Sequence, residues 1–128
     1  MDYASPDVFT AAALSWALPD TLRHLAMTGD RSLVAEVIAD FQSDTTRRLR
    51  LMNEAIGKQD FAALRAEAHA IRGAASEVGA ERLAAVCKRI ELSAAATDAG
   101  EIANSQCEAH LIFAAVCRVM RERGWNSE

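Results

Sequence analysis

From Arg31 onward the apolar positions recur at helical spacing almost without interruption. Val34, Val37, Phe41, Thr45, Leu49, Met52 and Ile56 advance by threes and fours until Gly57, which predicts one long helix from Arg31. Leu64, Ala68, Ile71, Ala75 and Val78 predict a second, opened by Asp60 as N-cap and closed at Gly79. Leu83, Val86, Cys87, Ile90 and Ala94 form the seam of a third. Asp98 to Gly100 separates off a fourth, with Ile102, Gln106, Ala109, Phe113, Val116 and Met120 on its seam and an end near Gly124. Gln106 is the polar member of that seam and is expected at an end of the core. Short connections make successive helices antiparallel.

Upstream the pattern is shorter. Ser5 reads as an N-cap with Pro6 at the first helical position, where its missing N–H is harmless. The helix it opens runs to about Ala17, with Val8, Ala12 and Trp16 on one face. Pro19 stops it, Asp20 caps a short helix from Thr21 to Thr28, and Gly29-Asp30 is a break followed by a cap. The expectation is all-α: an antiparallel four-helix bundle with additional short N-terminal helices covering one end. The short helix pair is an alternative first member of the four. Residues 1–128 read as a single domain, with 1–18 an extension helix and 19–124 the bundle.

Composition agrees with this picture. At 128 residues a chain is the size of one domain and buries roughly two-thirds of its unfolded surface. Aromatics are only 5%, and alternating β-branched runs are missing, which leaves no source of strands. No apolar stretch reaches the ~18 residues of a membrane span, and Asp2 stands where a secretory signal would place positive charge. A soluble, cytoplasmic monomer without membrane contact is expected. Cys87, Cys107 and Cys117 lie on or beside the seams without CxxC spacing, so buried reduced thiols are expected.

The net charge of −4 argues against a nucleic-acid partner, which requires a basic face. Positive charge nevertheless gathers at Arg65, Arg72, Arg82, Lys88 and Arg89 around the second and third helices. Such a collar on an acidic protein points to an acidic partner or a phosphate.

Within that collar lies a second stripe. Arg65, His69, Arg72, Gly73 and Ser76 follow the same spacing as the seam of their helix but are turned from it by roughly 100°. Gly73 on this open face costs the helix about 1 kcal/mol relative to alanine without any gain in packing, so its benefit is clearance. The stripe presents an imidazole, a guanidinium one turn away and a gap where the next side chain would be.

The run His69-Ala70-Ile71-Arg72-Gly73, followed by Val78-Gly79-Ala80, Arg82-Leu83, Cys87 and Ile90-Glu91, resembles the histidine-containing phosphotransfer (HPt) domain of multistep two-component signalling. The usual order there is His, any residue, Leu, Lys, Gly, a further Gly six residues on, then a Cys and a Glu or Gln on the next helix. This chain departs from it in Ile71 for Leu, Arg72 for Lys, and Glu77 where a small polar residue is common. The first two keep shape or charge, and the third bears on partner choice.

The resemblance implies a phosphoryl relay through His69, from a phospho-aspartate on the receiver domain of a hybrid histidine kinase to the aspartate of a response regulator. It implies no kinase activity, cofactor or metal of the chain's own, Mg²⁺ being supplied by the partner receiver. Arg72 would hold the non-reacting phosphoryl oxygens, while Arg65, Gly73, Ser76 and Lys88 would meet the partner. Glu91 falls 22 residues after His69, at about the same level on an antiparallel neighbour. It either accepts from Nδ1–H and leaves Nε2 as the nucleophile, or is a solvated charge paired with an arginine. His24 and His110 lack this context and read as structural or solvated.

A reading of another class is a helical adaptor or inhibitor that docks on a kinase or receiver without carrying phosphate, for which His69 is dispensable. A metal-binding bundle is disfavoured because paired ExxH motifs are absent.

Overall fold

Five helices run through residues 16–125, the part of the chain described by the computed structural model: α1 Asp20–Met27, α2 Arg31–Gly57, α3 Phe61–Glu77, α4 Glu81–Ala95 and α5 Ala99–Glu122. No strand occurs among the described residues. The four long helices form the bundle, with α3 and α4 its most intimate pair, and α1 is the short additional helix. Ser5 and Pro6, with the rest of the helix expected to start there, lie outside the described residues. Its expected end does not hold, because residues 16–19 are not helical.

All five helices end by one device. The residue after the C-cap takes a left-handed φ, and the next backbone N–H reaches back to a carbonyl five residues earlier. Asp60 N donates to Ala55 O at 2.8 Å, Ala80 N to Ala75 O at 2.8 Å, and Asp98 N to Ser93 O at 2.9 Å. In the three hairpins of the bundle, that donor is also the N-cap residue of the next helix, so each connection is as short as the motif allows. Asp60 and Asp98 complete the start by accepting from Ala63 N at 3.0 Å and Glu101 N at 3.1 Å.

The left-handed residue after α2 is Gln59, not the expected terminator Gly57, which remains the last helical residue. Asp20 likewise occupies the first turn of α1 and pairs with Arg23, while Pro19 stands at the N-cap position. Asp30 is the N-cap residue of α2 but makes no capping hydrogen bond with its side chain.

The predicted seams of α3, α4 and α5 are buried throughout. On α2 the seam is rotated slightly from the expected one: Ile38 and Ala55 are buried, whereas Val37 and Ile56 are half-buried on its flank. Val37 belongs to the groove that α2 makes with Ala74 and Val78. Helix α2 meets both α3 and α5, and the direction between those two neighbours selects among adjacent apolar positions. Across the α2–α5 seam, Phe41 and Phe113 pack edge to face with ring centres 5.9 Å apart. Gln106 crosses the same seam, its Nε2 donating to Leu49 O at 3.4 Å and Asn53 Oδ1 at 3.0 Å. It thus bridges two helices from within the core rather than capping an end.

One end of the bundle is sealed by two indoles. Trp16 is buried and its Nε1 donates to Val78 O at 2.9 Å, while Arg123 donates to Trp16 O and stands over its ring. Trp125, also buried, lies under the Arg31 guanidinium at 4.0 Å. Among the described residues, no helix is long and apolar enough to cross a membrane.

Candidate functional site

The alanine-rich sequence of α3 favours helix at almost every position, and its seam of Leu64, Ala68, Ile71 and Ala75 is completely buried. That fixes the rotation of α3 and turns His69 outward, where its side chain is 68% exposed. The tight turn at Gly79 folds α4 back along α3 and brings Glu91 to the level of the imidazole.

Glu91 is largely covered, with a side chain 13% exposed, yet it is fully engaged. Its Oε1 lies 3.1 Å from His69 Nδ1, and its Oε2 accepts a hydrogen bond from Arg72 Nε. Arg72 Nη2 is 3.5 Å from Glu91 Oε1 and 3.1 Å from His69 Nδ1. Glu91 therefore meets both the imidazole and an arginine, and it is not the solvated charge of the second reading. Burial alone would raise the Glu91 carboxyl, but the hydrogen bonds from Arg72 and His69 outweigh it and hold the group below its ordinary value. It is a carboxylate at neutral pH. The hydrogen bonds of His69 among the described residues run through Nδ1, which leaves Nε2 facing outward.

Arg72 departs from expectation. Its guanidinium sits on the Nδ1 side of the ring, held by Glu91, and not beside Nε2 where a phosphoryl group would be bound.

The remaining expected contacts line the same open surface. Arg65, Ser76 and Lys88 are exposed, and a Cβ on Gly73 would meet nothing within 4 Å. The basic collar is smaller than the sequence suggested. Arg89 turns to α5, pairing with Glu101 at 3.1 Å and Glu108 at 3.0 Å. Arg82, two turns before it, shares that side of α4. The cations grouped with His69 are thus Arg65, Arg72 and Lys88, because the side of α4 facing α3 is set by the burial of Cys87 and Ile90.

Cys87 lies beneath Glu91 as filler. Burial, reinforced by the Glu91 charge, pushes its thiol up to about 12, so it is not a nucleophile. Cys117 is half-buried, but Cys107 is exposed, against the expectation of three buried thiols.

His24 is exposed on α1. His110 belongs to a cluster that sequence reading missed: its Nε2 is 3.1 Å from Gln106 Nε2 and 3.3 Å from Asn53 Oδ1. The signal was a glutamine on an apolar seam with a histidine four residues later.

The Hpt domain family model matches residues 36–121, which spans α3, α4, almost all of α5 and all but the first turn of α2. The chain belongs to the Hpt family. Hpt proteins serve histidine phosphotransfer in two-component signalling and work with receiver domains. The crystal structure of histidine-containing phosphotransfer protein B (HptB) from Pseudomonas aeruginosa PAO1 is similar to this Hpt chain at a TM-score of 0.75 and 28% identity, over 83% of this chain and 92% of that one. No curated protein matches the chain by sequence.

Proposed function

We propose that the chain relays a phosphoryl group between aspartates of receiver domains, from a hybrid sensor kinase to a response regulator, through Nε2 of His69. The observation that carries this reading is the pairing of an exposed imidazole with a largely covered carboxylate at its Nδ1, on a face cleared at Gly73.

With Nδ1–H directed at Glu91, the lone pair resides on Nε2. It attacks phosphorus of the receiver's acyl phosphate in line, the P–O bond to aspartate breaks, and the aspartate leaves as carboxylate with that electron pair. The ring keeps its Nδ1 proton and becomes a cationic N-phosphoimidazolium, whose positive charge lies against the Glu91 carboxylate. No separate base is needed in either direction. Transfer to the second receiver reverses the steps, with Nε2 as leaving group. Metal chemistry belongs to the receiver, whose acidic pocket holds Mg²⁺, and the chain acts alone and without a cofactor of its own. Lys88 and Arg65 meet the negative rim of that pocket, and Gly73 and Ser76 let the two backbones approach.

The test is transfer of label from a phosphorylated receiver domain to the chain. Label stable to base and labile to acid is expected on the parent and on His24→Gln and His110→Gln, and is lost in His69→Gln. Label retained by His69→Gln sinks the assignment. Receiver binding without label on any variant favours the adaptor reading instead.

A further inference from the structure

His69 Nδ1 has two suitors, and a neutral ring can satisfy only one. Glu91 Oε1 accepts a proton from Nδ1, whereas Arg72 Nη2 donates one to it, and both stand 3.1 Å away. If Nδ1 carries the proton, the Arg72 N–H points at another donor. If Nδ1 carries the lone pair, the Arg72 N–H bridges the ring and Glu91 Oε1, from which it is 3.5 Å distant, and the ring proton resides on Nε2. That second tautomer has no lone pair where the phosphoryl group must arrive.

The Arg72 side chain is placed for this bridging. Nε is anchored on Glu91 Oε2, and the rigid planar fork carries Nη2 to the ring edge. Arg72 is also placed to leave, because its side chain is 37% exposed and among the described residues a single carboxylate, Glu91, holds it. A phosphoryl group or an acidic pocket arriving at Nε2 offers the same guanidinium a more concentrated negative charge within a side chain's swing.

Resting on the reading of His69 as the phosphoryl carrier, we propose that Arg72 is a positioning residue that holds part of the His69 population in its unreactive tautomer until the phosphorylated receiver draws it away. On departure of Arg72 the ring loses its Nε2 proton to water and takes one from water at Nδ1, which donates to Glu91; the Nε2 lone pair is then exposed, and the displaced guanidinium meets the phosphoryl oxygens. One residue therefore both restrains the free protein and assists transfer. The free imidazole is guarded against small phosphoryl donors, and the guard is removed by the acidic partner itself.

The two roles separate by donor size. Phosphoramidate carries a transferable phosphoryl group, loses ammonia on P–N cleavage and needs no docking surface. Labelling of His69 by phosphoramidate should rise in Arg72→Ala by the reciprocal of the competent fraction, about twofold if the tautomers are evenly populated. Receiver-dependent transfer should fall by about tenfold or more. Arg72→Lys, which supplies charge without the fork, should label from phosphoramidate as fast as Arg72→Ala while restoring receiver transfer to within about tenfold of the parent. In ¹⁵N spectra, the His69 ring nitrogens of the parent should report a mixture that moves to Nδ1–H in Arg72→Ala. Parent shifts already at the Nδ1–H limit and unmoved by the substitution would overturn the proposal, as would slower phosphoramidate labelling of Arg72→Ala. Label on His69→Gln would instead remove the underlying reading.

Discussion

Two glycines six residues apart should respond to the same substitution with opposite signs. Gly73 sits in mid-α3 with helical φ, and a Cβ there meets nothing within 4 Å. Gly73→Ala replaces the poorer helix former by the best one, so it stabilises by about 1 kcal/mol. Gly79 has φ +81, and its added Cβ would lie 2.6 Å from the Ala17 carbonyl oxygen and 3.1 Å from Pro19 Cδ. The left-handed backbone alone costs an L-residue about 1–2 kcal/mol. The clash is with backbone, so the Trp16–Pro19 segment must shift, putting the Trp16–Val78 hydrogen bond at risk for about another 1 kcal/mol. The loss is about 2 kcal/mol, and about 4 kcal/mol if Trp16 also leaves its site. At about 4 °C per kcal/mol for a domain of this size, Gly73→Ala should melt about 4 °C above the parent and Gly79→Ala about 8–16 °C below it. Thermal unfolding followed by circular dichroism, with urea midpoints as a check, decides the matter. Function adds a second axis, because Gly73→Gln should fold and yet bind a receiver domain more weakly. Destabilisation by Gly73→Ala, or parent stability in Gly79→Ala, would refute the reasoning from Cβ contacts.

The thiols should divide by burial: native protein at pH 8 should take one maleimide equivalent at Cys107, and urea-unfolded protein three, read by intact mass, since burial holds Cys87 at about 12 and Cys117 at about 11. Acid should destabilise in two stages. Burial lowers His110 from 6.5, so the unfolded chain binds the proton first and stability falls as pH drops below about 6.5. Glu91, held below 4.5 once Arg72 and His69 outweigh its burial, adds a further loss as pH falls below about 4.5 and through its lower folded value. Urea midpoints from pH 8 down to about pH 2 should show both stages, and His110→Gln should flatten the upper one. Thr97 holds a left-handed φ of 50 at the end of α4, so Thr97→Gly should raise stability by about 1 kcal/mol in the same urea assay.

The type and order of the four long helices were legible in the sequence, because a helix 15 or more residues long repeats its apolar stripe often enough to identify itself. Helix α3 is legible almost to the residue, since the Asp60 side chain caps its start and Gly79 supplies the left-handed backbone at its end. The α2 pattern runs until Gly57, as the helix does, but the left-handed residue that closes it is Gln59, and since that is not a glycine nothing local announces it.

The candidate site divides in the same way. His69, Arg72 and Gly73 share one helix, so their common face follows from periodicity, and the distance of 22 residues to Glu91 follows from hairpin length. Which side of the ring Arg72 occupies does not, because a flexible arginine goes to whichever charge the neighbouring helix presents. The same holds for Arg89, drawn off to Glu101 and Glu108 by the packing of α5 on α4. The sequence determined the helices, their buried faces and the exposure of the imidazole, all of which arise from contacts repeated along one element. Only the tertiary structure decided the partner of each long charged side chain and the bridging of two helices by Gln106, because those depend on single contacts between elements, and their energies leave no period in the chain.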